Sequence, residues 1–246
     1  MTALDYTGMA IAVREDVGGA QRRAWLMIGK AGTWWTGAER VAIAAEVRNA
    51  TGCRLCQQRK AALSPFAIGG VHDSVSDLPA PAIDAIHRIR TDPGRLTRGW
   101  YERLAEQGLD DGEYVELVVV LALTVAVDTF ARAIGSEPWS LPQSVPGRPT
   151  RVRPENLTDE GAYVPTIPSG HAGPTEADLY NPVAANIYRA ISLVPDQARL
   201  FYAILGAQYL PPALVPRPDA NDGRAISRPQ MELLAARVSA LNGCFY

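Results

Sequence analysis

One local pattern occurs twice in this chain, and that repeat constrains the fold more than any other feature. Each copy begins with a hydroxyl residue followed three positions later by Glu or Gln, the pattern of a capping box that starts a helix. An alanine-rich stretch then leads to a glycine, the residue that most often ends a helix, and a cysteine follows at once. The copies are Thr36, Glu39, Gly52 and Cys53, and Ser227, Gln230, Gly243 and Cys244. We predict two copies of one unit, in which a Gly-Cys turn joins two helices.

The remaining patterns predict an all-α fold. Apolar periodicity and capping signals place helices at 36–49, 53–62, 82–89, 95–107, 112–134, 183–193, 195–209 and 228–241. Between them, residues 137–174 contain repeated prolines, which leave little room for regular structure. We therefore predict a first helical unit at 1–136, a proline-rich connector at 137–174 and a second unit at 175–246.

Composition and charge exclude several classes of function. The net charge of −2 gives no basic field for nucleic acid, and acidic residues near the start of the chain do not fit an export signal. The longest apolar run, 117–127, is shorter than the roughly 20 residues that span a membrane, so it predicts a core helix. We expect a cytoplasmic protein that binds neither nucleic acid nor membrane.

Cys53 and Cys56 form a C-x-x-C pair at the predicted start of a helix. A helix N-terminus stabilises a thiolate, and nearby Arg54, Arg59 and Lys60 add positive charge, so the pair is a candidate redox site. Its alternative is a degenerate site whose small thiols only pack. A zinc site needs four ligands, and the sequence shows no second paired spacing, so no metal is predicted. The three histidines, His72, His87 and His171, are scattered along the chain.

These motifs together resemble the alkyl hydroperoxidase D and carboxymuconolactone decarboxylase family. Peroxidase-type members of that family carry a Glu twelve residues before the first Cys and a His four residues after the second. Glu232 stands twelve residues before Cys244, whereas the first copy has Val41 and Lys60 at the two positions. Glu39 and Glu46 lie beside Val41 in sequence, but a helix would place them on other faces. His72 or His87 could replace the missing His if either folds back near Cys56.

The resemblance implies a helical bundle of two tandem copies, the second truncated. It assigns Glu232 as proton relay, Cys244 as resolving thiol and position 247 as the peroxidatic nucleophile. Because UGA encodes selenocysteine and is otherwise read as a stop, we expect a selenocysteine codon directly after Tyr246. No other cofactor is expected.

The function expected from the resemblance is reduction of a small-molecule peroxide by a thiol or selenol, with an unknown thiol reductant, in a homo-oligomer. Two alternatives stay open. One is a non-enzymatic helical scaffold or oligomer subunit that retains vestigial motifs. The other is a lactone decarboxylase of the same family, which works without the cysteine pair.

Overall fold

The computed structural model describes residues 4–179 and 185–244, and helices dominate these two ranges. The helices are α1 Glu15–Ile28, α2 Gly37–Asn49, α3 Arg54–Ala61, α4 Ala80–Thr91, α5 Arg98–Glu106, α6 Asp111–Ala133, α7 Asn186–Arg189, α8 Pro195–Gln208 and α9 Arg228–Leu241. No strand forms in the described residues, where an isolated bridge joins Thr158 to Thr166. The prediction of an all-α fold is confirmed.

Both predicted helix starts of the repeat occur, but the two glycines behave differently. Thr36 and Glu39 complete the capping box of α2, and the Gln230 side chain accepts a bond from the backbone N–H of Ser227 before α9. Gly243 follows α9 with a φ of 62°, the left-handed conformation that glycine adopts without strain. Gly52 instead closes a short 3₁₀ turn, Ala50–Gly52, after α2.

Helix α6 is the central helix of the core. It runs over Asp111–Ala133, one residue earlier at each end than the predicted helix at 112–134, and a capping box between Asp110 and Glu113 starts it. The resulting 23 residues are long and apolar enough to cross a membrane, but 61% of the apolar window is buried against other parts of the protein. Core helices of soluble proteins pass the same test, so length and composition alone are weak evidence for a span.

Helix α1 is not predicted from the sequence, because the residues at its start carry weak helix-capping and helix-propensity signals. Arg14 makes no side-chain cap, and Gly18 and Gly19 lower the helix propensity of the first turns. Packing stabilises the helix instead, since α1 contacts α6 and α8. The predicted helix at 183–193 is helical over Asn186–Arg189, and residues 183 and 184 lie outside the described residues.

A buried ion pair joins α2 to α6 inside this core. Arg40 of α2 and Glu116 of α6 form it, and their side chains are 1% and 0% exposed. The second carboxylate oxygen of Glu116 accepts the backbone N–H of Trp34 at 2.6 Å. Arg40 also donates to the side chain of Gln197 on α8 at 2.9 Å. The pair therefore fixes three core helices to one another.

Candidate functional site

The two thiols lie at the start of α3, and both are buried. Cys53 is the N-cap residue and Cys56 lies in the first turn, with 1% and 2% of their surfaces exposed. The side chain of Asp73 accepts the backbone N–H of Arg54 at 2.9 Å, and the backbone N–H of Asp73 points at Cys53 Sγ from 3.4 Å. The segment after α3 therefore folds back over the helix start and covers the pair.

Two of the three histidines that follow the pair in sequence contact its sulfur atoms. His72 Nδ1 lies 3.6 Å from Cys53 Sγ and 3.5 Å from Cys56 Sγ. His87, on α4, places its Nδ1 3.3 Å from Cys56 Sγ. The three histidines are scattered along the sequence, but two of them converge on the thiols: His87 because α4 packs against α3, and His72 because the segment after α3 folds back over the helix start.

A carboxylate holds the outer nitrogen of each ring. Glu46 Oε2 lies 3.0 Å from His87 Nε2, and Asp84 Oδ1 lies 2.9 Å from His72 Nε2. An ionised carboxylate can only accept, so we assign the ring proton to Nε2 in both histidines. Each Nδ1 then directs its lone pair at the thiols. The contact of Arg59 with His72 Nε2 is therefore not a hydrogen bond, and Arg59 donates instead to Asp84 at 2.8 Å.

Glu46 is the buried anchor of the site. It is 0% exposed and accepts from the hydroxyls of Ser74 and Ser76, at 2.5 and 2.7 Å, and from the backbone N–H of Val75 at 2.8 Å. Burial opposes its charge, but these bonds and the His87 ring hold the pKa of Glu46 at about 2. Glu46 was not expected to replace the family's Glu, because a helix places it on another face from Val41; it belongs to the site through His87 of α4, a residue beyond the α2–α3 hairpin.

The two thiols have different environments. Burial opposes the thiolate of Cys53, but the backbone N–H groups of Cys56 and Asp73 hold the pKa of Cys53 below its ordinary value. Burial and then the neighbouring Cys53 raise the pKa of Cys56 to about 12. Burial also lowers the pKa of His87, which favours its neutral ring. The arrangement supports one negative sulfur at a time, with Cys53 favoured.

The basic residues proposed from the sequence separate into two groups. Arg59 lies in the site as the partner of Asp84, which also accepts the indole N–H of Trp100 at 2.8 Å. Lys60 is exposed and lines a small cavity of about 160 Å³ that reaches Cys56. That cavity is an opening to the buried Cys56.

The second predicted site is not assembled in the described residues. Glu232 accepts a hydrogen bond from the hydroxyl of Tyr209 and pairs with Arg228. Cys244 is exposed and follows the end of α9. Twelve residues of helix rise about 18 Å, so Glu232 and Cys244 lie at opposite ends of α9. Phe245 and Tyr246 lie outside the described residues.

The four inner groups form a compact set of potential ligands. The sulfur atoms of Cys53 and Cys56 and one nitrogen each of His72 and His87 lie within 4.8 Å of one another. All four residues were candidates from the sequence, whereas of the two carboxylates that orient the rings Glu46 had been set aside and Asp84 was missed. Comparison with protein-family models, with curated proteins and with solved structures gives no match to this chain, so the geometry of the site is the basis for its function.

Proposed function

We propose that Cys53 and Cys56 are a redox-active dithiol that reduces hydroperoxides. The observation that carries this proposal is the contact chain from Cys56 through His87 to Glu46, with sulfur to nitrogen at 3.3 Å and nitrogen to oxygen at 3.0 Å. A thiol, a neutral imidazole and a buried carboxylate in this order form the arrangement that moves a proton away from a nucleophile.

The reaction uses the two thiols in turn. Cys53 attacks the peroxide, forming a sulfur–oxygen bond as the O–O bond breaks, and the alcohol leaves with a proton. Cys56 then attacks the sulfur of the Cys53 sulfenic acid, gives its proton to His87 Nδ1 and releases water, which takes up that proton. Two electrons pass from the thiols to the peroxide, giving one disulfide, one alcohol and one water. An external thiol reductant returns the disulfide to the dithiol.

Cys53 is the better attacking thiol in this scheme. It stands at the N-cap position of α3 and accepts the backbone N–H of Asp73 at 3.4 Å, and both favour its thiolate. Cys56 is the thiol in contact with the base His87, as the resolving step requires. The family resemblance placed the relay His four residues after the second Cys, where this chain has Lys60, and in this proposal His87 of α4 supplies the relay.

The tandem organisation belongs to the same proposal. The equivalent starts of α2 and α9, each leading to a Gly-Cys turn, support two copies of an alkyl hydroperoxidase D-like unit. The proposal also includes a peroxide as substrate, a thiol as reductant, assembly as a homo-oligomer and a cytoplasmic location. A scaffold with vestigial thiols does not account for two carboxylate-oriented histidines directed at them.

A peroxide titration of the reduced, metal-free protein tests the proposal. We expect one disulfide between Cys53 and Cys56, seen as a loss of about 2 Da and as protection of both thiols from alkylation. Cys53→Ser and Cys56→Ser should each abolish the disulfide, whereas Cys244→Ser should leave it unchanged. If both thiols stay fully alkylatable after excess peroxide while the fold is intact, the dithiol is not redox-active and the scaffold explanation is favoured.

A further inference from the structure

We propose that Cys53, Cys56, His72 and His87 form a tetrahedral site for Zn²⁺. In an ideal zinc site with bonds of about 2.3 Å to sulfur and 2.0 Å to nitrogen, each sulfur lies about 3.5 Å from each nitrogen. The three sulfur–nitrogen contacts in this site measure 3.3, 3.5 and 3.6 Å. All four ligand atoms lie within 4.8 Å of one another, so small movements of the side chains would bring each of them to bonding distance from one ion.

The carboxylates that bond to the ligand histidines also fit a zinc site. Zinc-binding histidines usually donate their other N–H to a carboxylate, which fixes the ring and strengthens the ligand. Both rings have this partner, Glu46 for His87 and Asp84 for His72. The two carboxylates come from α2 and α4, so neither ring orientation depends on the thiols. The lone pairs of both Nδ1 atoms are therefore directed at the sulfurs before any ion binds.

Charge and burial favour a soft divalent cation over other ions. Two sulfurs and two imidazoles in a tetrahedral set select Zn²⁺ among common cellular metals, whereas Mg²⁺ and Ca²⁺ require oxygen ligands. The thiols belong to a small apolar cluster with Leu55 and Ile68, separate from the main core. An ion that joins α3, α4 and the segment carrying His72 would give this cluster the cohesion that its few apolar contacts lack.

The metal site does not rest on the proposed redox function, because binding needs no peroxide. We expect the reduced protein to bind one Zn²⁺ per chain, measured by elemental analysis and by competition with a chromogenic chelator. Co²⁺ should give the visible absorption of a tetrahedral sulfur–nitrogen site. Cys56→Ser and His87→Gln should abolish binding, and Asp84→Asn should weaken it about 10- to 100-fold.

The matched controls are Cys244→Ser and His171→Gln, which change the same residue types outside the cluster and should bind Zn²⁺ like the parent. Helical circular dichroism checks that each variant is folded. Binding that survives Cys56→Ser, or a folded parent that binds no Zn²⁺, would overturn the site. Zn²⁺ binding without peroxide-driven disulfide formation would instead reject the redox proposal and leave the metal site standing.

A separate observation supports a second inference. Arg88 of α4 is 2% exposed, yet its Nε and Nη2 atoms make no hydrogen bond. No carboxylate in the described residues forms an ion pair with it, although its guanidinium stacks over the Phe66 ring at 4.3 Å from the centroid. Unpaired donors on a buried guanidinium are costly, so a ligand that supplies acceptors to them would be stabilised here.

Arg88 lines a cavity of about 380 Å³ that ends against the site. Arg59 and Arg103 also line it. The lining therefore carries three guanidinium groups and one ionised carboxylate, Asp84. Apolar and aromatic side chains complete the wall: Phe66, Ala80, Ile83, Trp100 and Leu104. We infer that this pocket binds a small organic carboxylate, with its charged end on Arg88 and its apolar body against these side chains.

Benzoate is a suitable probe, because it is inert to thiols and to peroxide. It should bind and change the fluorescence of the protein through Trp100, and Arg88→Gln should weaken binding about 10-fold or more. Arg88→Lys keeps the positive charge but loses the planar, forked set of N–H donors, so it should give an intermediate loss of benzoate affinity. Arg132→Gln, at an exposed arginine outside the pocket, should change nothing.

Benzyl alcohol, a neutral compound of similar shape, separates charge recognition from apolar binding. The inference requires that benzyl alcohol binds at least about 10-fold more weakly than benzoate. Equal binding of the two compounds, or unchanged benzoate binding in a folded Arg88→Gln protein, would overturn it. Because no step involves thiol oxidation or Zn²⁺, the result is independent of both earlier proposals.

Discussion

Replacing His87 by Gln is expected to slow closure of the Cys53–Cys56 disulfide by about 100-fold or more, because general-base catalysis commonly contributes that much. In the proposed scheme His87, which contacts Cys56, acts as the base, and a glutamine of similar size cannot take up a proton. The first step, oxidation of Cys53, does not use His87. The sulfenic acid on Cys53 should therefore accumulate and be trapped by a sulfenate-selective reagent.

The measurement combines stopped peroxide reactions with mass spectrometry of trapped Cys53, in protein freed of metal by a chelator. His171→Gln is the matched control, since that histidine is exposed and its ring contacts the Ser169 carbonyl oxygen instead of a thiol. A merely structural role for His87 would impair both steps together. Closure at the parent rate in a folded His87→Gln protein would exclude His87 as the base.

The local parts of the site could be predicted from sequence. The capping box before α2, the Gly-Cys turn and the C-x-x-C spacing are short-range patterns, and each depends on residues within a few positions of one another. The structure places Cys53 and Cys56 at the start of a helix, as the pattern indicates. Helix α6 was also predictable, because a long apolar segment has few alternatives to a buried helix.

The partners of the thiols could not be predicted in the same way. Glu46 and His87 are 41 positions apart, and His72 lies in a segment without regular structure. Their meeting depends on how α2, α3 and α4 pack, which no periodicity encodes. A buried Glu within an otherwise alanine-rich helix was a signal, since a charged residue on an apolar face requires a partner. The sequence does not say which partner.

Replacing Arg40 by Met is expected to destabilise the protein by about 3 to 5 kcal/mol, a large part of the stability of a typical domain. The change removes the positive partner of Glu116 and leaves a buried carboxylate without a counter-ion. The backbone N–H of Trp34 still bonds to Glu116, but one neutral donor does not replace a guanidinium. Urea unfolding of the parent and the variant at pH 7 gives the difference.

The pH dependence of this loss identifies its cause. Burial raises the pKa of Glu116, and without Arg40 the rise is larger. A carboxyl whose folded pKa exceeds its unfolded value binds protons more tightly in the folded state, so stability increases as pH falls. The deficit of Arg40→Met relative to the parent should therefore shrink between pH 7 and pH 5.

A double variant separates the charge from the loss of packing. In Arg40→Met with Glu116→Gln, the amide oxygen can still accept from Trp34, and no buried charge remains. This protein should regain more than half of the stability that Arg40→Met loses, even though it carries one substitution more. If the two substitutions instead add their separate costs and the deficit is the same at pH 5 and pH 7, an unpaired charge is not the cause. The cost then comes from the volume and the Gln197 bond that Arg40 supplies between α2 and α8.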